Sequence, residues 1–336
     1  VTLALEDKWV WDFWLCRDGA DWHLYFLQAD RSLGDPELRH WNVSQGHAVS
    51  QDLRQWQLLG TCLAPSPGPA ADDYTTWTGS VLKDDAGLWH LFYTGTAHAD
   101  AGMKQRLFHA TSTDGHGWQR AGGEPGEAGL ILDIGRDAGG AAYEEFQPGF
   151  WHDRAMRDPW VIRDPRGAGW LMFFTARVPG RAEPNAGGAI GFATSPDLYH
   201  WELKPPVYAG GDFGQLEVPQ VFELSGRWYC LFCTDKRHWS RSYAAAYPGE
   251  PVSGTHYLIA DSPLGPWKVA PGAFLDGAPD CRRYSGKVIL GQDGEAPAGL
   301  SFMAFANTRP DGSFAGTLID PLPMDVLPDG RLVLKA

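Results

Sequence analysis

"WHLYFLQA" at residues 22–29, followed by "AVSQDLRQW" at 48–56, is the phrase on which the fold turns. An aromatic-rich run, a gap and an Ala/Ser-Asp phrase closing on Trp return along the chain. The second copy is "WHLFYTGT" from Trp89 with "ATSTDGHGW" ending at Trp118. The third is "WLMFFTAR" from Trp170 with "ATSPDLYHW" ending at Trp201. The fourth is "WYCLFCTD" from Trp228 with "ADSPLGPW" ending at Trp267. A degenerate fifth runs "LSFMAFAN" from Leu300, then "LIDPLPMDVL" to Leu327. Self-similarity at this period marks a repeat architecture. Each aromatic run reads as a strand, since aromatic and β-branched residues fill pleated, half-buried surfaces. A further strand and a tight turn precede each one ("RDGAD" at Arg17, "KDDAG" at Lys83, "RDPRGAG" at Arg163, "ELSG" at Glu223, "GQDGEAPAG" at Gly291). Gly, Asp and Pro supply the backbone angles such turns require. With the strands on either side of the "SxDLxxW" turn, the unit is a four-stranded antiparallel sheet. Five such units arranged radially make an all-β, five-bladed β-propeller with four-stranded antiparallel blades. The expected organisation is one propeller domain over 1–336, with no C-terminal β-sandwich.

Composition bounds the partners. With 28 Lys+Arg against 41 Asp+Glu in 336 residues, the net charge is −13. That balance disfavours nucleic acid, whose phosphates need clustered cations. No apolar run is long enough to span a membrane, and the first residues carry no basic-then-apolar leader. The five cysteines are Cys16, Cys62, Cys230, Cys233 and Cys281. An odd number argues against a fully paired disulfide framework, and unpaired thiols lean towards a cytoplasmic compartment. Cys230 and Cys233 lie inside an apolar strand and read as core, not as a metal clamp. No metal-ligand spacing appears, so no metal or cofactor is expected, and His47, His109 and His152 read as turn or loop hydrogen-bonders. Asp52, Asp114 and Asp197 recur in the third turn and read as turn caps. Oligomeric state has no signature here.

The innermost strand of each blade lines the central channel. The loops between the second and third strands are long, as at residues 29–46, 178–188 and 236–254, and all fall on the face where these strands begin. The segment from Gly122 to Met156 is expected to end on the same face. Long loops on one face and tight turns on the other mark the first face as functional. At that mouth Asp12 opens blade one, Arg157-Asp158 blade three and Glu217 blade four. "WTGS" from Trp77 and "RYSGK" from Arg283 stand at the same place in blades two and five. The repeat frame therefore brings three carboxylates, distant in sequence, into one funnel. Acids among aromatic residues are costly unless paired or used. Two facing carboxylates are what glycoside hydrolysis requires, one giving a proton and one acting as nucleophile or base. A third would raise the acid by like-charge repulsion.

These strings resemble the five-bladed fructan-active enzymes of glycoside hydrolase families 68 and 32. "VWDFW" at Val10 resembles their nucleophile motif, "WTGS" their Trp-Ser-Gly-Ser motif, and "RDPW" at Arg157 their Arg-Asp-Pro motif. "LEVPQ" at Leu216 resembles the acid/base motif, and "GHAVSQDLRQW" at Gly46 an invertase-type phrase. The resemblance implies Asp12 as nucleophile, Asp158 as transition-state stabiliser and Glu217 as acid/base, in a retaining mechanism on β-fructofuranosides through a fructosyl-enzyme. It further implies Trp11, Trp77, Thr78, Arg157 and Tyr284 as substrate-binding residues and a carbohydrate as partner. The Asn-Asp-Pro-Asn-Gly motif of invertases is absent, and Val218 follows Glu217 where those families carry Arg or Cys. Two other readings stay open: an inverting arabinofuranosidase/xylosidase of family 43, which shares the "SxDLxxW" phrase, and a non-catalytic sugar-binding propeller.

Overall fold

The computed structural model describes residues 3–145, 155–290 and 299–335. His152 and most of the turn after Gly291 lie outside them. The described residues form five antiparallel sheets in chain order. Blade one is β1 (Lys8–Asp18), β2 (Asp21–Asp30), β3 (Ser44–Ser50) and β4 (Gln57–Leu63). Blade two is β5 (Thr75–Lys83), β6 (Trp89–Thr96), β7 (Arg106–Ser112) and β8 (Gln119–Arg120), with β9 (Leu130–Leu132) also on β7. Blade three is β10 (Met156–Arg163), β11 (Trp170–Arg177), β12 (Gly188–Ser195) and β13 (Glu202–Tyr208). Blade four is β14 (Glu217–Leu224), β15 (Arg227–Thr234), β16 (Ser253–Ala260) and β17 (Lys268–Val269), with β18 (Asp276–Ala278) also on β16. Blade five is β19 (Arg283–Ile289), β20 (Ser301–Thr308), β22 (Leu322–Val326) and β23 (Leu332–Leu334), with β21 (Phe314–Leu318) also on β20. The expected five-bladed propeller is the observed fold.

The second strands explain why the sequence shows runs and not alternation. Every residue of β6, "WHLFYTGT", is buried. A strand flanked by neighbouring blades has no solvent face, so the period-2 pattern of a half-exposed sheet is lost. The core is aromatic: Trp14, Tyr25, Phe92, Phe173 and Phe232 are essentially without exposure. The recurrent Asp phrase acts as expected. Asp52 Oδ1 accepts from the amides of Arg54 and Gln55, Asp114 Oδ1 from His116 and Gly117, and Asp197 Oδ1 from Tyr199 and His200. The ring closes between the ends of the described chain, where Leu3 pairs with Leu318.

Two histidine expectations need correction. His47 and His109 sit within β3 and β7, not in turns, and both are buried. His47 bonds His23 at 3.0 Å and His116, of the next blade, at 3.1 Å; His109 bonds His90 at 2.9 Å. The paired imidazoles share a hydrogen bond within each stack, while His109 Nδ1 has no hydrogen-bond partner among the described residues. Burial holds both below their ordinary range, at about 3. Among the described residues no group of three or more His, Cys, Asp or Glu side chains is arranged to hold a metal ion.

Candidate active site

The innermost strands share one irregularity. Each slips register against its neighbour at its start: between Val10 and Phe13, Trp77 and Gly79, Arg157 and Trp160, Glu217 and Gln220, and Tyr284 and Lys287. These are β-bulges, which bend a strand and re-aim its side chains. Three bulge residues without the freedom of glycine adopt positive φ: Asp158 (60°), Val218 (54°) and Ser285 (53°). Such angles cost energy and persist where surrounding contacts over-determine them. Gly79 in blade two follows from close packing, since a Cβ there would lie 1.9 Å from the Phe92 carbonyl oxygen.

The bulges refine the repeat frame. Asp12 is the second residue of its bulge, Asp158 the first, and Glu217 the residue just before. Three adjacent positions around one bend, taken from three blades, aim three carboxylates into one cavity of about 650 Å³. All eight residues singled out from the sequence line it: Trp11, Asp12, Trp77, Thr78, Arg157, Asp158, Glu217 and Tyr284. Its volume lies within the ~300–1,000 Å³ of small-ligand pockets.

Each acid is held differently. Thr78 Oγ1 donates to Asp12 Oδ2 at 2.6 Å. Asp158 Oδ2 accepts from Thr175 Oγ1 at 2.8 Å and from the Val218 amide at 3.0 Å, while its own amide donates to Thr94 Oγ1. Glu217 is gripped at both oxygens, Oε1 by Arg157 Nη2 at 2.8 Å and Oε2 by the Tyr284 hydroxyl. Arg157 is the hub. Its guanidinium also donates to Gln105 and Gln215, and its Nε lies 3.6 Å from Asp158 Oδ2. A planar fork of five donors suits this bridging.

The electrostatics separate the three. Burial raises Asp12, and the Thr78 hydroxyl offsets part of that. Burial lifts Asp158 to about 6 despite the attraction of Arg157. At Glu217 burial also pushes upward, but Arg157, His238 and the Tyr284 hydrogen bond outweigh it and leave the carboxyl below its ordinary value. The expectation that repulsion raises the acid/base residue is therefore not met. The guanidinium beside it wins.

The sequence reading missed several lining residues. Arg39, His40 and Trp41 come from a 3-10 turn at Pro36–Trp41, and Asp235, Arg237 and His238 from the corresponding loop of blade four. These loops occupy equivalent places but share no phrase, so the repeat leaves no pattern to read there. Trp77 is fixed through its indole N–H to the His40 carbonyl, and Trp41 packs on Tyr74 and Trp77, making an aromatic wall. Thr94 and Thr175 did carry a signal, since each stands five residues past its blade's aromatic anchor.

Comparison with known proteins follows the same lines. The family model described as "Glycosyl hydrolases family 32 N-terminal domain" matches residues 15–261, a span that includes Asp158 and Glu217 and starts just after Asp12. A fructan 6-exohydrolase of Triticum aestivum is 28% identical over 193 residues, covering 55% of this chain and 28% of that protein. An invertase of Wickerhamomyces anomalus is 24% identical over 337 residues, covering 94% of this chain and 50% of that protein. The chain thus spans half or less of the length of these relatives. Among solved structures, the inulosucrase from Halalkalicoccus jeotgali bound to kestose superposes with a TM-score of 0.78 at 23% identity, covering 98% of this chain and 87% of that one, a likeness of fold. With the family match extending over most of its length, this chain belongs to glycosyl hydrolase family 32, as a member of its N-terminal, propeller domain.

Proposed function

We propose that the protein is a retaining glycoside hydrolase or transglycosidase of β-fructofuranosides, working through a covalent fructosyl-enzyme. The observation that carries the reading is the convergence of Asp12, Asp158 and Glu217 on one aromatic-walled cavity with Arg157 at their centre. The match to a glycosyl hydrolase family and the named activities of the relatives support it.

With Thr78 holding Oδ2, Asp12 attacks the anomeric carbon of the fructosyl unit through Oδ1. The glycosidic C–O bond breaks, its electron pair passes to the leaving oxygen, and Glu217 gives that oxygen a proton. In the second step water, or a sugar hydroxyl, attacks the same carbon. Glu217 takes the proton, and the ester bond breaks to restore the Asp12 carboxylate. Asp158 hydrogen-bonds sugar hydroxyls and offsets the positive charge that grows in the transition state. Arg157, His238 and Tyr284 favour ionised Glu217, the form needed in the second step. The first step needs the proton on Glu217, so sugar binding must loosen its bonds to Arg157 and Tyr284.

The test is incubation with sucrose, short fructo-oligosaccharides and aryl arabinofuranosides, with proton NMR of the first-formed product. Fructose released or transferred with retained anomeric configuration supports the proposal. Initial inversion, or release of arabinose and never fructose, rejects it.

A further inference from the structure

Lys287 bonds the residue that follows Glu217 and plays no part in the mechanism above. It follows the blade-five bulge and is 2% exposed. Its Nζ donates to the Val218 carbonyl oxygen at 2.8 Å. It makes no direct ion pair among the described residues, and the Trp160 ring lies 5.8 Å from the ammonium. The ammonium has three donors, and burying one on a single carbonyl is expensive unless its charge serves something nearby. It also lines a second, smaller cavity that opens beside Leu15, Arg17 and Trp22, so it lies between that cavity and the Val218 wall of the sugar pocket.

Its one partner matters. Val218 is β-branched at φ 54°, follows Glu217 in the chain, and donates its amide to Asp158 Oδ2. The two ends of this strained residue are thus tied, its amide to Asp158 and its carbonyl to Lys287. The titratable groups facing the ammonium are the thiols Cys233 and Cys230 from β15, kept uncharged by burial, and the carboxyls of Asp12 from β1 and Asp158 from β10. Those acting on Asp12 are Glu217, Lys287 and Arg39, besides the Thr78 hydroxyl.

We propose that Lys287 is a positioning residue that pins the Val218 peptide, bonded to Asp158 and next to Glu217, and lends Asp12 a positive charge. The proposal rests on the reading of Asp12 as nucleophile, which must be ionised to attack. Burial pulls Lys287 down to about 8, so the charge is present throughout acid and neutral pH.

Lys287→Gln keeps a donor for the Val218 carbonyl and removes the charge; Lys287→Arg keeps the charge. The pH profile of kcat/KM on sucrose is measured for both and for the unaltered protein, with thermal unfolding as control. K287Q is expected to move the acid limb up by about half to one pH unit, because an opposite charge favours the ionised carboxylate. K287R is expected to restore it. A folded K287Q with an unmoved acid limb overturns the proposal. Where K287Q does not fold, K287M carries the same test. An unaltered protein inactive on every fructoside refutes the fructoside reading alone. In that case carboxyl titration of 13C-labelled aspartate by NMR still decides: the Asp12 midpoint rises in K287Q, or stays put and overturns the proposal.

Discussion

Replacing Asp158 with Asn should make the protein more stable at neutral pH while removing most of its activity. Asp158 is 5% exposed, and burial lifts its pKa from the ordinary 3.8 to about 6. At 1.36 kcal/mol per pH unit, holding it ionised in the fold costs about 3 kcal/mol. The direction of the pH dependence follows. A carboxyl whose folded pKa exceeds its unfolded value favours the fold fully below about 4, and that contribution is lost as pH rises through about 6. Asn carries no charge at any pH, and its Oδ1 can still accept from Thr175 or the Val218 amide. The attraction of Arg157 is already contained in that ionisation cost, and less complete hydrogen bonding by Asn leaves an expected net gain at pH 7.5 of about 1–3 kcal/mol, a rise in Tm of roughly 2–6 °C at this chain length. At pH 4 the two proteins should unfold within about 1 °C of each other. The assay is differential scanning calorimetry of both proteins at pH 4, 5.5 and 7.5. A D158N variant less stable than its parent at pH 7.5, or a difference independent of pH, would refute the electrostatic reasoning.

Four other substitutions test the site and the strands that carry it. Thr78→Val removes the hydroxyl that holds Asp12 Oδ2, so the Asp12 pKa should rise further and kcat/KM at neutral pH should fall by roughly 10- to 100-fold, the worth of a hydrogen bond to a charged group. Tyr284→Phe frees Glu217 Oε2 from a donor that lowers its pKa, so the alkaline limb of the activity profile, where Glu217 loses its proton, should move to higher pH. Gly79→Ala drives a Cβ into the Phe92 carbonyl and should leave little soluble protein, whereas Gly87→Ala, in an open turn at φ 85°, should cost only about 1 kcal/mol, read by chemical denaturation.

The propeller was legible because its blades repeat a phrase with fixed chemistry. Aromatic second strands need neighbours on both faces, and the Asp-capped turn needs its Asp two residues past the Ser. The mouth of the channel was legible for the same reason: once the strands are in register, their first residues must meet. Bulges were not legible. Asp12, Asp158 and Glu217 stand ten, twelve and eleven residues before their anchors. That uneven spacing mixes place around the bend with turn length, since Arg163 pairs with Trp170 across a turn two residues longer than those between Arg17 and Trp22 or Glu223 and Trp228, and nothing in a strand's composition says where register slips. Arg39, Gln105, Gln215 and His238 were invisible because they come from loops whose paths depend on tertiary packing. The low pKa of Glu217 was likewise unreadable, since it depends on Arg157 reaching across from another blade and not past its neighbour Asp158 alone.

The central claim is a covalent bond between sugar and Asp12, and mass spectrometry of a trapped intermediate tests it most directly. Glu217→Gln, given an activated fructosyl donor whose leaving group needs no proton and quenched in acid, should accumulate one added fructosyl group on the peptide that contains Asp12. Turnover with no adduct at any stage, or an adduct on Asp158 in place of Asp12, would contradict the account.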